Sequence, residues 1–197
     1  MNVSGSGVPR PQLRHKNRLR ELFNLFLFLI AVYSLLEMAI PRSVVISISM
    51  QPNLIEGQRL LISRVSYMFS RPQRGEIVVF EPNGYTPDED KLIKRLIGLP
   101  GEKIEFRNQV VYIDGNKLSE PYLNEPCQVF NCPDKSWKLG LNEYFFMGDN
   151  RNHSRDSRSF GPITHKQLVG RAILRWWPPA QWDVLSYNYG EMGASSP

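Results

Sequence analysis

The residues able to do chemistry fall into three groups. The first is a pair of serines in Val44-Val45-Ile46-Ser47-Ile48-Ser49-Met50-Gln51-Pro52-Asn53-Leu54. Strand alternation puts Ser47 and Ser49 on one side and Ile46, Ile48 and Met50 on the other, until Pro52 ends the strand. Taken alone, this is a half-exposed strand with one polar face. The second is Lys94-Arg95 inside an apolar run, with Leu92 and Leu96 on the face of Lys94 and Ile93 and Ile97 on that of Arg95. The third is Gly148-Asp149-Asn150-Arg151-Asn152-His153-Ser154-Arg155-Asp156-Ser157-Arg158, rich in side chains that hydrogen-bond nearby backbone. It makes a poor calcium loop, because Arg151 stands two after Asp149 where an oxygen ligand belongs. Of the three histidines, His15 lies in the N-terminal tail. Neither His153 nor His165 has a recognisable triad context, although counting alone leaves Ser-His-Asp open. Cys127 and Cys132 can close a small loop in an oxidising compartment; two unconnected thiols are the alternative. Two cysteines at this spacing are too few for a structural zinc site, and no metal is expected.

The elements that must position these groups are mostly short strands. Residues 44–50, 59–63, 76–80, 91–98, 103–107, 110–113, 144–147 and 170–176 read as β, and only 164–169 reads as helical beyond residue 40. Asp114-Gly115 after Val110-Val111-Tyr112-Ile113 is a hairpin signal, since both residues suit the positive backbone angles of a tight turn. The expected organisation is a polar basic tail at 1–20, an apolar anchor at 21–40, a mainly β domain at 41–185 and a tail at 186–197. Within the domain, 116–142 is rich in Pro, Asn and Lys and reads as an excursion from the core.

The net charge of +5 is carried by Arg10, Arg14, Lys16, Arg18 and Arg20, and the rest of the chain is balanced. A nucleic-acid-binding domain spreads its basic stripe over the folded part, so no nucleic-acid partner is expected. The cluster instead precedes the nineteen residues from Leu22 to Ile40, interrupted only by Asn24, Ser34 and Glu37, which as a helix would span about 28 Å, close to the thickness of a bilayer core. A core helix would show a polar face. A cleavable signal peptide would have a shorter apolar stretch and a small-x-small site, which Ala39-Ile40-Pro41-Arg42 does not supply. The preferred reading is an uncleaved signal anchor in the plasma membrane, spanning once, with the positive N-terminus cytoplasmic and everything after Ile40 outside.

Four ordered segments resemble the boxes of bacterial type I signal peptidases. Ser47-Ile48-Ser49-Met50-Gln51-Pro52 resembles S-x-S-M-x-P, just after the anchor. Arg74-Gly75-Glu76-Ile77-Val78-Val79-Phe80 resembles R-G-D-I-V-V-F. Leu92-Ile93-Lys94-Arg95-Leu96-Ile97-Gly98-Leu99-Pro100-Gly101 resembles Y-I-K-R-x-x-G-L-P-G, and the loop from Gly148 to Arg158 resembles G-D-N-R-x-x-S-x-D-S-R. The resemblance implies a signal-peptidase-like β-barrel or sheet domain behind one transmembrane helix. It implies Ser49 as nucleophile, Lys94 as general base, and an oxyanion hole from Ser47 and Ser49. It also implies that Ser154 hydrogen-bonds and orients Lys94, that Asp156 forms an ion-pair network with Arg158 and Arg151, and that Asp149 helps fix the loop. His153 falls at a variable position of the box. Val45, Met50, Leu54, Leu92 and Ile93 are implied to line two shallow pockets for the small residues of an Ala-x-Ala-like site. Ile46, Asn53 and Leu92 depart from the family's usual proline, threonine and aromatic residue.

The implied chemistry has a physical requirement. A lysine at its ordinary pKa is neutral in roughly one molecule in a few thousand at neutral pH, so it serves as a base only when burial lowers that value. The alternating pattern leaves open whether Lys94 or Arg95 points inward, but a guanidinium cannot lose its proton and cannot be the base. No cofactor is expected; the expected partners are signal peptides of exported preproteins, membrane lipid and the protein-export machinery. Two alternatives remain: a specialised Ser-Lys processing peptidase, or a membrane-tethered binding domain of the same fold without activity. The segment Trp176-Trp177-Pro178-Pro179-Ala180-Gln181-Trp182 suits either packing at the domain's end or an aromatic edge at a bilayer surface, which Tyr67, Met68 and Phe69 could extend.

Overall fold

The computed structural model describes residues 14–84, 86 and 90–185, with side chains from residue 18 onward. Arg10 and the tail at 186–197 lie outside the described residues. The chain divides into two units after Met38. The first holds all but the last residue of helix α1 (Arg14–Ala39), which begins earlier than the apolar run because Arg, Lys and Leu sustain a helix well. Its stretch Arg18–Ala39 is long and apolar enough to cross a membrane, and its Leu and Phe side chains are exposed around the whole circumference.

The second unit is mainly β. Its strands are β1 (Arg42–Val44), β2 (Arg59–Ser63), β3 (Ile77–Phe80), β4 (Leu92–Gly98), β5 (Lys103–Arg107), β6 (Val110–Ile113), β7 (Asn116–Lys117), β8 (Lys135–Lys138), β9 (Glu143–Met147), β10 (Ile163–Thr164), β11 (Leu168–Trp177) and β12 (Asp183–Val184). The larger sheet runs β1-β2-β11-β3-β4-β9-β10, with β12 on β11; the smaller runs β7-β6-β5-β8. All pairs are antiparallel. As the Asp-Gly signal predicts, Asp114 and Gly115 take positive φ between β6 and β7, whose Ile113 and Asn116 pair.

Three apolar clusters hold the sheets. Val45, Met50, Leu54, Leu60, Ile62 and Ile77 pack with Ala172 and Leu185; Val78, Phe80, Leu96, Phe146 and Ile163 form a second cluster; Ile97, Ile104, Phe106, Val111 and Phe145 form a third. Each fully buried Leu, Ile or Phe contributes about 1.5–3 kcal/mol. Strand β4 feeds all three, so both of its faces are inside. Gly98 ends it at a register shift against β9, where a Cβ would lie 2.6 Å from Ile104 Cδ1 and 2.9 Å from Phe145 Cβ.

Several local expectations change. Residues 44–50 do not form one strand: β1 stops at Val44 and Ile48–Met50 is a 3-10 turn. The run at 164–169 holds only a 3-10 turn, His165–Gln167, before β11 begins. There Gln167 Oε1 accepts from Thr164 N at 2.9 Å, imitating a helix start without continuing it. Two short helices, α2 (Ser66–Phe69) and α3 (Ser157–Phe160), carried no helical pattern. The segment 116–142 departs from the larger sheet, yet it is not peripheral. It supplies β7 and β8 to the smaller sheet, and Tyr122, Cys127, Cys132 and Leu139 to the third cluster.

Candidate active site

Ser47 caps the turn Ile48–Met50, its Oγ accepting from Ser49 N at 3.2 Å. This is what a serine favours at such a position, and it replaces the expected strand geometry. Ser47 and Ser49 are therefore joined by a cap rather than by sharing a strand face. The Ser47 hydroxyl proton remains available to donate. The turn is fixed on either side: Asn150 N donates to Ser49 O at 3.0 Å, and Leu54 N to Met50 O at 2.9 Å.

Lys94 comes from the middle of β4 and is 2% exposed. Its Nζ lies 2.7 Å from Ser49 Oγ and 2.9 Å from Ile93 O. Burial lowers the Lys94 pKa to about 8, against a smaller upward pull from the negative charges of Asp156 and Asp149. An amine buried against a hydroxyl, with no carboxylate at hydrogen-bond distance among the described residues, can take that hydroxyl's proton.

The loop after β9 frames this pair. Asp156 caps α3; it accepts from Gly148 N at 3.0 Å and from Arg158 Nε and Nη2 at 2.8 Å each. Burial pushes its carboxyl up, but the hydrogen bonds and charge of Arg158 outweigh this and hold it below the usual carboxylate range. Arg158 Nη1 in turn reaches Asn131 O at 3.0 Å and Cys132 Sγ at 3.2 Å, beside the Cys127–Cys132 disulfide. Arg151 makes no hydrogen bond to Asp156 and feels its charge only through space. Its Nε donates to Gly148 O at 3.0 Å and its guanidinium pairs with Glu120, because the 116–142 segment folds back over the loop. Ser154 does not bond Lys94 either; its buried Oγ sits directly over Gly148 and faces the Asp156 carboxylate, which it helps to hold in its charged form.

A model of the family described as "Signal peptidase, peptidase S26" matches residues 19–177. The chain belongs to this family. A probable signal peptidase I-1 of Synechocystis sp. is 41% identical over 143 residues, covering 70% of this chain and 71% of that protein. Signal peptidase IB of Staphylococcus aureus is 35% identical over 156 residues, covering 72% and 78% respectively. A crystal structure of a signal peptidase I from Enterococcus faecalis V583 is 34% identical, with a TM-score of 0.44 over 52% of this chain and 97% of that one.

Around Ser49 and Lys94 the apolar candidates divide. Met50 and Leu54 have no exposed surface and Val45 has 2%, so they back the site from the core instead of walling an open pocket. Leu92 and Ile93 keep partial exposure on opposite faces of β4. Among the described residues no group of His, Cys, Asp and Glu is placed to hold a metal ion.

The structure also adds residues. Arg95 has no exposed surface; its Nε and Nη2 hold Asp149 at 2.7 and 2.6 Å, and its guanidinium lies 4.3 Å from the Tyr122 ring centroid. Asn53 Nδ2 donates to Asp149 Oδ2 and to Tyr122 O, each at 2.8 Å. The departure at Asn53 thus ties the loop that follows Ser49 both to the 148–158 loop and to the 116–142 segment. Glu120 and Tyr122 had no local signal, since Arg151 is 31 residues from the former and 29 from the latter.

Proposed function

We propose that this chain is a membrane-anchored serine endopeptidase that removes N-terminal signal peptides from exported preproteins, cutting after Ala-x-Ala-like sites. The observation that carries this reading is the 2.7 Å contact between Ser49 Oγ and the buried Nζ of Lys94. Neutral Lys94 takes the Ser49 proton as Oγ attacks the scissile carbonyl carbon. The resulting oxyanion is met by the Ser47 hydroxyl and by Ser49 N–H, which exchanges its 3.2 Å bond to Ser47 Oγ for the oxyanion. Collapse breaks the C–N bond, Lys94 Nζ returns the proton to the departing amine, and the signal peptide remains as an ester on Ser49. Water, deprotonated by the same amine, then hydrolyses that ester.

Strand edges support the substrate's placement. Pairing of β4 with β9 begins at Arg95, so residues 92–94 have a strand partner only on the β3 side among the described residues. Strand β1 ends the larger sheet. An extended peptide can add to these edges through its backbone, with its small side chains over Leu92 and Ile93 and with Val45, Met50 and Leu54 behind. Asp156, Arg158 and Asp149 keep the loop against Ser49 and Lys94, Arg151 anchors it to Glu120, and Ser154 covers Gly148.

In this reading residues 1–20 are a cytoplasmic tail, 21–40 the anchor, 41–185 the extracytoplasmic catalytic domain and 186–197 a tail. The exposed Trp177 and Trp182, and Met68 and Phe69, suit contact with a bilayer surface carrying substrate from the export machinery. The test is cleavage of a preprotein with an Ala-x-Ala site by the purified full chain in detergent, beside Ser49→Ala and Lys94→Ala. Cleavage by the parent alone is expected; equal cleavage by all three would sink the mechanism. Protease added outside spheroplasts should digest the domain after Ile40, and full protection would reverse the orientation.

A further inference from the structure

One cavity adjoining Ser49 has no part in the reaction described above. It has a volume of about 310 Å³ and is bounded by Gln51, Pro52 and Ile55 on one wall and Glu125 on the other, with Asp149 and Asn150 between. It begins two residues past the nucleophile, and Asn150 is the residue whose N–H holds Ser49 O at 3.0 Å. Strand β1, which ends at Val44, and the β4 edge at 92–94 lead up to Ser49 and Lys94 from the other direction. If those edges hold the peptide before the cut, the chain after the cut leaves past Gln51, into this cavity.

The far wall is braced. Asn152 Nδ2 donates to Glu125 Oε1 at 2.8 Å, and Asn152 Oδ1 accepts from Gln128 N at 2.8 Å. The Cys127–Cys132 disulfide closes the same loop. Glu125 is therefore held to the loop that carries Asn150, although its carboxylate is exposed. The charges on the two sides differ. Asp149 is neutralised by Arg95 at 2.6 Å, whereas Glu125 has no ion-pair partner among the described residues. Asn150 Oδ1 adds a buried acceptor with no partner among the described residues.

We propose that this cavity is the subsite for the first two residues after the cut, and that Glu125 makes it favour basic over acidic side chains there. The proposal rests on the peptidase reading above and adds a selectivity which that reading does not require. It gives the Cys127–Cys132 loop a role as the brace of a substrate wall.

The test uses peptides identical up to the cut, carrying Lys, Ala or Glu at the first or second residue after it. With the parent chain, kcat/KM for Lys should exceed that for Glu by roughly threefold to fivefold at low ionic strength, the size of an exposed ion pair, and less at high salt. Glu125→Gln, whose amide oxygen can still accept from Asn152, should bring the ratio to about one, and Glu125→Lys should invert it. A parent ratio of one, or the same ratio in all three proteins, would overturn the subsite while leaving the peptidase reading standing. No cleavage of any peptide by the parent would overturn both.

Discussion

In the proposed mechanism the pH profile of cleavage follows the titration of Lys94. With Lys94 lowered to about 8, its neutral fraction is roughly one in eleven at pH 7 and roughly ten in eleven at pH 9. The value of kcat/KM for a fixed peptide should therefore climb about tenfold between these pH values and level off above them. A solvated lysine would give about a hundredfold over the same interval and no plateau. Linkage supplies an independent readout. Between pH 8 and the ordinary lysine value the unfolded chain holds a proton that the folded chain has released, so stability rises with pH across that window, by up to about 3 kcal/mol. Below pH 8 the folded protein bears that cost in full. Lys94→Met should abolish cleavage and stabilise the chain at pH 7 by about 1–3 kcal/mol, the lower end allowing for the two lost Nζ hydrogen bonds. Activity would be followed by peptide cleavage in detergent micelles, and stability by urea unfolding of the same preparation. A hundredfold climb to pH 9, together with a Lys94→Met chain less stable than its parent at pH 7, would refute the depressed-amine mechanism.

Two further perturbations separate positioning from folding. In Gly148→Ala the new Cβ would lie 2.5 Å from Ser49 O and closer still to Ser154 Oγ, so the Ser49 backbone must shift; kcat should fall at least about tenfold with KM little changed, and urea unfolding should show a loss of about 1–3 kcal/mol. An unaltered kcat would show that Ser49 tolerates the displacement. Glu120→Ala leaves the Arg151 guanidinium, 2% exposed, without its carboxylate, and should cost about 3–5 kcal/mol in urea unfolding. A cost below about 1 kcal/mol would mean that water replaces Glu120 there.

Much of the architecture was legible because it is written locally. Strands such as Lys103–Arg107 and Val110–Ile113 alternate cleanly, and Asp114-Gly115 fixes the turn that follows. The apolar run after the basic cluster needs only composition to be read as a helix. What failed was non-local or depended on a single cap. Residues 44–50 look like strand, but the Ser47 hydroxyl captures Ser49 N and turns the chain. The 116–142 segment looks like a solvated loop by composition. Yet Trp137 packs its ring 4.9 Å from that of Phe145, and Tyr122 lies under Arg95; neither contact can be inferred from neighbours in sequence.

The same distinction applies inside the site. Alternation along β4 asked which of Lys94 and Arg95 points inward, as though one face of the strand were wet. Both faces are buried, so the question had no single answer. What separates the two cations is what each meets. Arg95 finds the carboxylate of Asp149 through two hydrogen bonds and so keeps its charge in the interior. Lys94 finds a hydroxyl and a carbonyl, which solvate an ammonium less well than water and offer no charge to balance it, with Asp156 and Asp149 acting only through space. A lysine so placed can shed its proton, and an arginine cannot. An exchange of the two residues would put a permanent cation against Ser49 and a lysine, its charge held by Asp149, on the opposite face. Lys94→Arg combined with Arg95→Lys should accordingly leave both side chains inside the protein and abolish cleavage at every pH, which the same peptide assay would show.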